Sequence, residues 1–260
     1  MLAWCSVQWL SAHVETIAFA DTTAKRICVE RWDSDGDGEL SYEEASTVTD
    51  LGNTFCLRLL KSPATLDELQ YFTSLKEVCS RAFSDCYHLR QLMLPSSVMA
   101  IRDRAFWSCV AMEHIQIPTS TQRLGHSCFF RCTSLQEITV PPSVRDSIPY
   151  KAFAYCSELQ TATIEANVRI IGEAAFIDCS RLMTATLPYT TTRLCSRAFS
   201  GCHELRQVFC RAVTPQALED DVFTNRAMQN AVLFVPEEAV EAYREAPGWK
   251  AFRHIAALFD

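Results

Sequence analysis

The octapeptide AFSDCYHL at residues 82–89 decides the fold, because its pattern Ala-Phe-x-x-Cys-x-x-Leu returns five more times, with minor changes. The phenylalanines of successive copies lie 23, 23, 24, 23 and 23 residues apart. Such a period is the signature of a repeat architecture in which each unit stacks on its neighbour. The repeated positions are Phe83, Phe106, Phe129, Phe153, Phe176 and Phe199; Cys86, Cys109, Cys132, Cys156, Cys179 and Cys202; and Leu89, Met112, Leu135, Leu159, Leu182 and Leu205.

Each copy continues into a short alternating segment that predicts a β-strand. In the first, Leu92 and Leu94 flank Met93 and Pro95 follows, so the two leucines face inward and Met93 faces outward. A unit of 23 residues cannot bury its apolar face alone, and we therefore expect the units to share one core and their strands to form a parallel ladder. Later copies read Ile115-Gln116-Ile117-Pro118, Ile138-Thr139-Val140-Pro141 and Ala185-Thr186-Leu187-Pro188.

Six of the 13 cysteines follow the same period. A cysteine in the same inward slot of every unit favours free, buried thiols that act as small apolar residues. Disulfides are the alternative, which the odd total and the parallel direction of stacked side chains disfavour. A zinc site would need paired spacings, and the nearest approach, Cys128-x-x-x-Cys132, stands alone.

Together these motifs resemble the BspA-like leucine-rich repeat family of bacterial cell-surface proteins, over about residues 71–212. The resemblance implies an α+β repeat fold, namely a right-handed leucine-rich-repeat solenoid with a parallel strand ladder. We predict a helical N-terminal cap at 1–70, six repeats of about 23 residues at 71–212, and a strand-helix C-terminal cap at 213–260. Single turns depart from the pattern, and we expect each departure to weaken the packing of its own turn. The departures are Cys128 in place of alanine, an extra residue near Pro149, and Ala162 and Glu165 in place of an apolar residue and a proline.

The segment DSDGDGELSYEE at residues 33–44 fits the twelve-residue calcium-loop template. Helical patterns precede and follow it, with Asp21 as a helix cap and Ala45, Val48 and Leu51 on one later face. Only one such loop is visible, so the prediction is one structural calcium ion rather than a sensor, and the alternative is a solvated turn. The predicted ligands are Asp33, Asp35, Asp37, the Glu39 backbone carbonyl, Ser41 and Glu44.

Composition excludes several classes of function. The net charge of -7, with no basic stripe, argues against a duplex nucleic-acid binder. No apolar run is long enough for a membrane-spanning helix, and residues 1–12 make a poor signal peptide because they lack basic residues at their start. No nucleophile-base motif, carboxylate pair or phosphate loop is evident, so we predict no catalytic residue and no enzyme.

The outward strand positions form a polar and nearly uncharged column that would suit a protein or glycan ligand. We therefore predict a non-catalytic binding or adhesion module, and the family resemblance implies a cell-surface or secreted location. The alternatives are a structural spacer without its own ligand and, third, a hydrolase. The ligand-face candidates are Gln91, Met93, His114, Gln116, Glu137, Thr139, Thr161, Thr163, Thr184, Thr186, Gln207 and Phe209.

Overall fold

Short strands make up most of the regular structure in residues 15–56, 65–165 and 167–258, which are those that the computed structural model describes. The helices are α1 (Thr22–Trp32), α2 (Tyr42–Thr47), α3 (Asn225–Asn230) and α4 (Val240–Glu245), with 3-10 helices at Asp67–Tyr71, Glu237–Ala239 and Trp249–Ala251. The strands are β1 (Thr65–Leu66), β2 (Glu77–Val78), β3 (Gln91–Leu92), β4 (Ala100–Ile101), β5 (Arg123–Leu124), β6 (Glu137–Val140), β7 (Arg145–Ile148), β8 (Thr161–Ile164), β9 (Asn167–Ile171), β10 (Thr184–Leu187), β11 (Arg193–Leu194), β12 (Gln207–Cys210), β13 (Ala217–Leu218), β14 (Val232–Val235) and β15 (His254–Ala257).

The predicted parallel ladder is confirmed. Strands β6, β8, β10, β12, β14 and β15 form one six-stranded parallel sheet, the main ladder. In β6, β8, β10, β12 and β14 the inward residues are buried, and the outward residues are exposed in β6 and half-buried in β8 and β10, as alternation requires. The sheet continues beyond residue 212, because β14 pairs with β12 and β15 pairs with β14.

A second parallel ladder runs beside the first, formed by segments for which we predicted no strand. Its strands are β2, β4 and β5 in one sheet and β7, β9, β11 and β13 in another. The backbone N–H of Arg145 donates to the Gln122 carbonyl and links the two sheets. In the turn that carries the extra residue, Asp146 has φ 69°, and the pairing of β7 with β9 shifts register between Asp146 and Ser147.

The repeated phenylalanines stack as one continuous column through the core. Neighbouring rings lie 5.1–5.3 Å apart with interplanar angles of 3–13°, from Phe55 at one end to Phe223 at the other. Trp32 and Phe72 close the first end, and Trp249 and Phe252 close the other. The caps therefore use aromatic rings to cover the exposed faces of the column.

Residues with a left-handed backbone conformation (positive φ) lie two positions before and two positions after each of the six repeated phenylalanines. Arg81 (φ 63°) and Asp85 (φ 60°) flank Phe83 in this way, and the next five turns repeat the arrangement. This alternation lets the N–H groups of all three residues donate to the following turn, at Asp103, Ala105 and Trp107 for the first copy. The hydrogen bonds offset the cost of about 1–2 kcal/mol that a non-glycine residue incurs in this conformation.

The six repeated cysteines, called here the ladder cysteines, each donate a hydrogen bond from the thiol to the backbone carbonyl of the phenylalanine one turn earlier. The Cys132 thiol donates to the Phe106 carbonyl over 3.2 Å, and the Cys156 thiol donates to the Phe129 carbonyl over 3.2 Å. The same bond recurs in the other four turns at 3.1–3.3 Å. All twelve cysteines in the described residues are free thiols, as the packing interpretation predicts.

We expect the ladder thiols to resist alkylation in the native protein. Burial raises the pKa of Cys156 to about 12 and that of Cys132 well above its ordinary value, and both thiols are inaccessible. Labelling with iodoacetamide and peptide mass spectrometry should show them reacting at least about a thousandfold more slowly than in guanidinium, since reaction requires unfolding. The half-buried Cys56 and Cys195 serve as controls and should react first. Rapid native labelling of Cys132 would contradict the inward register.

Candidate functional site

The predicted ligand face lies on the outside of the main ladder. Within the ladder, strand pairing brings Glu137, Thr161, Thr184 and Gln207 into one row and Thr139, Thr163, Thr186 and Phe209 into a second. The Thr184 hydroxyl donates to the Gln207 side-chain oxygen over 3.5 Å. The rows are therefore neighbouring in space as well as in register, and Glu137 is their single charged member.

The outer face extends further than the sequence indicated. Strands β14 and β15 add Val232 and His254 to the first row and Phe234 and Ala256 to the second. The rings of Phe209 and Phe234 stack at 4.9 Å and 12°. The alternation of residues 232–235 was a usable signal, although we assigned that strand to a cap rather than to the face.

The ladder is interrupted where a strand was predicted at Ile115–Ile117. Within the described part of the chain, residues 113–118 belong to no strand, although Ile115 and Ile117 are buried and His114 and Gln116 are exposed as predicted. Proline follows the strand position in three consecutive turns, at residues 95, 118 and 141, and proline has no N–H to donate. Gln91 and Met93, on the other side of the interruption, remain exposed, and the Gln91 amide donates to Asp67 over 2.9 Å.

The turn that lacks this proline makes an additional backbone hydrogen bond to the preceding turn. The backbone N–H of Glu165 donates to the Val140 carbonyl over 3.0 Å, a bond that proline would remove. Arg211 makes the equivalent bond to Leu187 over 3.2 Å. Ala162 is buried and holds its inward place between Ile138 and Ala185. Glu165 therefore adds a hydrogen bond between turns, and the expectation that Ala162 softens its turn stays a prediction.

An open depression of about 560 Å³ occupies the interruption. Its lining includes His114, Gln116, Glu137, Thr139 and Glu165. Its size lies in the range of small-ligand sites, but it is shallow and exposed. Chemically it offers hydrogen-bond donors and acceptors with two carboxylates, which suits a polar ligand better than an apolar one.

The acidic loop between α1 and α2 brings three of the predicted ligands together. Carboxylate oxygens of Asp33, Asp35 and Asp37 lie within 4.8 Å of one another. Backbone N–H groups organise these side chains: Gly36 and Gly38 donate to Asp33 over 2.7 and 3.0 Å, respectively. Gly38 has φ 86°, the left-handed turn that glycine adopts without strain. The Glu39 side chain pairs with Lys25 over 2.6 Å, which leaves only its carbonyl as a prospective ligand.

Glu44 lies outside the aspartate cluster and connects the two ends of the loop. Its carboxylate accepts hydrogen bonds from the backbone and hydroxyl of Ser34 and of Ser41, over 2.6–2.9 Å. Burial acts to raise the pKa of Glu44, but these hydrogen bonds outweigh it and lower the pKa to about 2. Ser41 and Glu44 also form the capping box of α2.

The flanking segments fix the loop to the N-terminal cap. As predicted, Asp21 caps α1, accepting from Ala24 over 2.8 Å. The N–H of Ile17 donates to the Leu40 carbonyl over 2.8 Å, and Leu40 is buried in the core. Helix α2 is shorter than predicted because it ends at Thr47, so that Leu51 is buried from a later turn rather than from the helix. The prediction about a leader in residues 1–12 falls outside the described residues.

The stacked parallel turns define a repeat solenoid, and the sequence places it in a particular family. Residues 60–179 and 146–240 match the BspA-type leucine-rich repeat region, in six copies. The chain therefore belongs to the BspA-type leucine-rich repeat family. No curated protein matches its sequence.

Several solved structures resemble parts of the chain. A leucine-rich repeat protein from Eubacterium ventriosum is 25% identical over 51% of this chain and 36% of its own, with a TM-score of 0.48. A T. pallidum leucine-rich repeat protein is 23% identical over 66% of each chain, with a TM-score of 0.38. A leucine-rich cell-surface protein from Faecalibacterium prausnitzii is 19% identical over 75% of this chain and 63% of its own, with a TM-score of 0.30. The chain thus spans about a third of the first of these structures and about two thirds of the other two.

None of the helices in residues 15–56, 65–165 and 167–258 combines the length and the apolar composition that crossing a bilayer requires.

Proposed function

We propose that the chain is a non-catalytic binding module of a bacterial surface or secreted protein, and that it recognises a protein or glycan with the outer face of the main ladder. The observation that carries this proposal is the register of two outward rows across six consecutive strands. An extended, rigid and largely uncharged surface is what repeat solenoids use to contact partners. Family membership supports the surface location.

The chemistry of the rows favours a hydrogen-bonding ligand. Four threonines, Thr161, Thr163, Thr184 and Thr186, lie in the centre and are half-buried, and their β-branched side chains have little χ1 freedom. Side chains that lose little rotamer freedom on binding add more to affinity than flexible ones. The stacked rings of Phe209 and Phe234 at one end add an apolar surface on which a sugar ring or an aromatic side chain can pack.

Replacing Thr163 and Thr186 by lysine should abolish binding while the protein stays folded. Two ammonium groups at the centre of the face remove hydroxyl contacts and block close approach, so we expect affinity to fall at least about tenfold. The measurement is binding to arrays of neutral glycans and of extracellular matrix proteins, with melting curves for each variant. The matched control is Thr214→Lys with Gln229→Lys, which adds the same charge at exposed positions away from the ladder. Unchanged capture by the Thr163/Thr186 variant would reject this face, and no capture by the wild type would leave the spacer interpretation.

We further propose that the acidic loop holds one structural calcium ion. The donor set fits a hard cation, because Asp33, Asp35 and Asp37 converge and supply only oxygen ligands. The carbonyl of Glu39 and the Ser41 hydroxyl are the other prospective ligands. To coordinate the ion bidentately, Glu44 would have to exchange hydrogen bonds with Ser34 and Ser41 for contacts to the metal. Bound there, the ion would stabilise the N-terminal cap.

A further inference from the structure

A row of arginines lies on the outer side of the second ladder. Successive strands of this ladder carry one arginine each, within the strand or directly after it, and all five side chains are exposed. Since the chain has a net charge of -7, this row is a local reversal of its overall charge. The arginines are Arg102 after β4, Arg123 in β5, Arg145 in β7, Arg169 in β9 and Arg193 in β11.

The two ends of the row are neutralised and its centre is not. Arg102 pairs with Glu77, and Arg193 pairs with Glu219. Among the described residues, the central arginines, Arg123, Arg145 and Arg169, have no ion pair. Neighbouring strands of a sheet are about 4.8 Å apart, which is less than the screening length of about 8 Å at physiological salt. Arg145 pairs in register with Asn167, so the arginines of neighbouring strands are staggered rather than directly opposite, and they leave this part of the ladder with an excess of positive charge that a bound anion would offset.

Two of the central arginines share an open depression of about 570 Å³. Besides Arg145 and Arg169, it is lined by Asp146, Asn167, Tyr189 and Thr192. Tyr189 is 69% exposed, and its hydroxyl lies 3.5 Å from the Asn167 side-chain oxygen. Asp146 is the opposing charge in this depression, and two arginines against one carboxylate leave it net positive. The amide, hydroxyl and aromatic groups suit sugar hydroxyls and the apolar face of a sugar ring.

We propose that this arginine row binds an acidic polysaccharide chain lying across the strands of the second ladder. The guanidinium groups of the central arginines pair with carboxylate or sulfate groups, for which their planar donors are suited. Tyr189 and Asn167 contact the sugar between those groups. The central arginines, in β5, β7 and β9, cover two strand spacings, about 10 Å, so the site takes an oligosaccharide rather than a single anion. This site is separate from the outer face of the main ladder, so the two binding proposals are independent of each other.

The test is binding of fluorescently labelled heparin fragments and oligogalacturonate, with neutral dextran as the reference. Binding is measured by fluorescence anisotropy at salt concentrations from about 0.05 M to about 0.3 M. We expect both acidic chains to bind, dextran not to bind, and affinity to fall with added salt. A variant with Arg123, Arg145 and Arg169 each replaced by glutamine should bind about tenfold to a hundredfold more weakly, since each exposed charge contact contributes about two- to fivefold. The two acidic chains distinguish sulfate from carboxylate recognition.

The matched control replaces Arg90, Arg206 and Arg226 by glutamine, which removes the same charge from exposed positions outside the row. It should bind like the wild type, and melting curves should show both triple variants folded. Equal loss in the control, or failure of the wild type to bind either acidic chain, would overturn the proposal. Equally tight binding of a single-stranded DNA oligonucleotide would also overturn it, because the row would then recognise charge alone.

Discussion

Replacing Phe176 by alanine should lower the free energy of unfolding by about 3–5 kcal/mol. The Phe176 ring is fully buried and lies between Phe153 and Phe199 at 5.1 Å from each. Its loss leaves a void in a column whose remaining rings are fixed by three rows of inter-turn hydrogen bonds and so cannot collapse into it. Urea denaturation followed by circular dichroism measures the difference. Phe153→Ala should behave in the same way because its surroundings are equivalent.

The control is Phe209→Ala, which removes the same side chain from the outer face of the main ladder. Phe209 is half-buried and stacks on Phe234 alone, so we expect a loss of only about 1 kcal/mol. A loss below about 1 kcal/mol at Phe176 would show that its ring does not carry the core and that the inward register is wrong.

Calcium should raise the melting temperature of the chain by roughly 5–10 °C when the ion is present at about a hundred times its dissociation constant. The physical reason is that an ion bound only by the folded loop adds about 2.7 kcal/mol under those conditions. The measurement is differential scanning calorimetry in calcium and in excess chelator. Magnesium at the same concentration should give a smaller rise, because it requires a tighter octahedral site.

Two variants separate binding from a general charge effect. Asp35→Ala removes a carboxylate from the converging cluster and should abolish the calcium response. Glu43→Ala removes an exposed carboxylate from the adjacent helix, outside the proposed donor set, and should keep the response. Identical melting temperatures with calcium and with chelator in the wild type would reject the calcium proposal and make the loop a plain turn.

The 23-residue period predicted the features that repeat strongly in the sequence. Inward phenylalanine, buried cysteine and alternating strand positions all recur at fixed spacing, and the structure confirms the parallel ladder that they imply. The N-cap at Asp21 was equally local and therefore predictable. The ligand face followed from alternation alone, and its binding role and the calcium site stay predictions.

Other features depend on relations that a single pattern does not carry. The second ladder was missed because its strands β4, β5 and β11 have two residues each, too few for alternation to be seen. The interruption at residues 113–118 arises from prolines in consecutive turns, whereas the isolated Pro188 leaves pairing intact. Strand β15 was missed because Ile255 and Ala257 are half-exposed and their pattern is weakly apolar. The arginine row became apparent only when the structure placed these segments of five turns in neighbouring strands of one ladder.

The thiol-carbonyl bonds and the hydrogen bonds beside them join each turn only to its immediate neighbours, which has a mechanical consequence. If the two ends of the chain are pulled apart, load reaches the terminal turn first, and that turn can detach without disturbing the turns beyond the next. Each detachment releases a unit of about 23 residues, or roughly 75 Å of extended chain. A stack built in this way yields to tension in equal steps and lengthens before it fails.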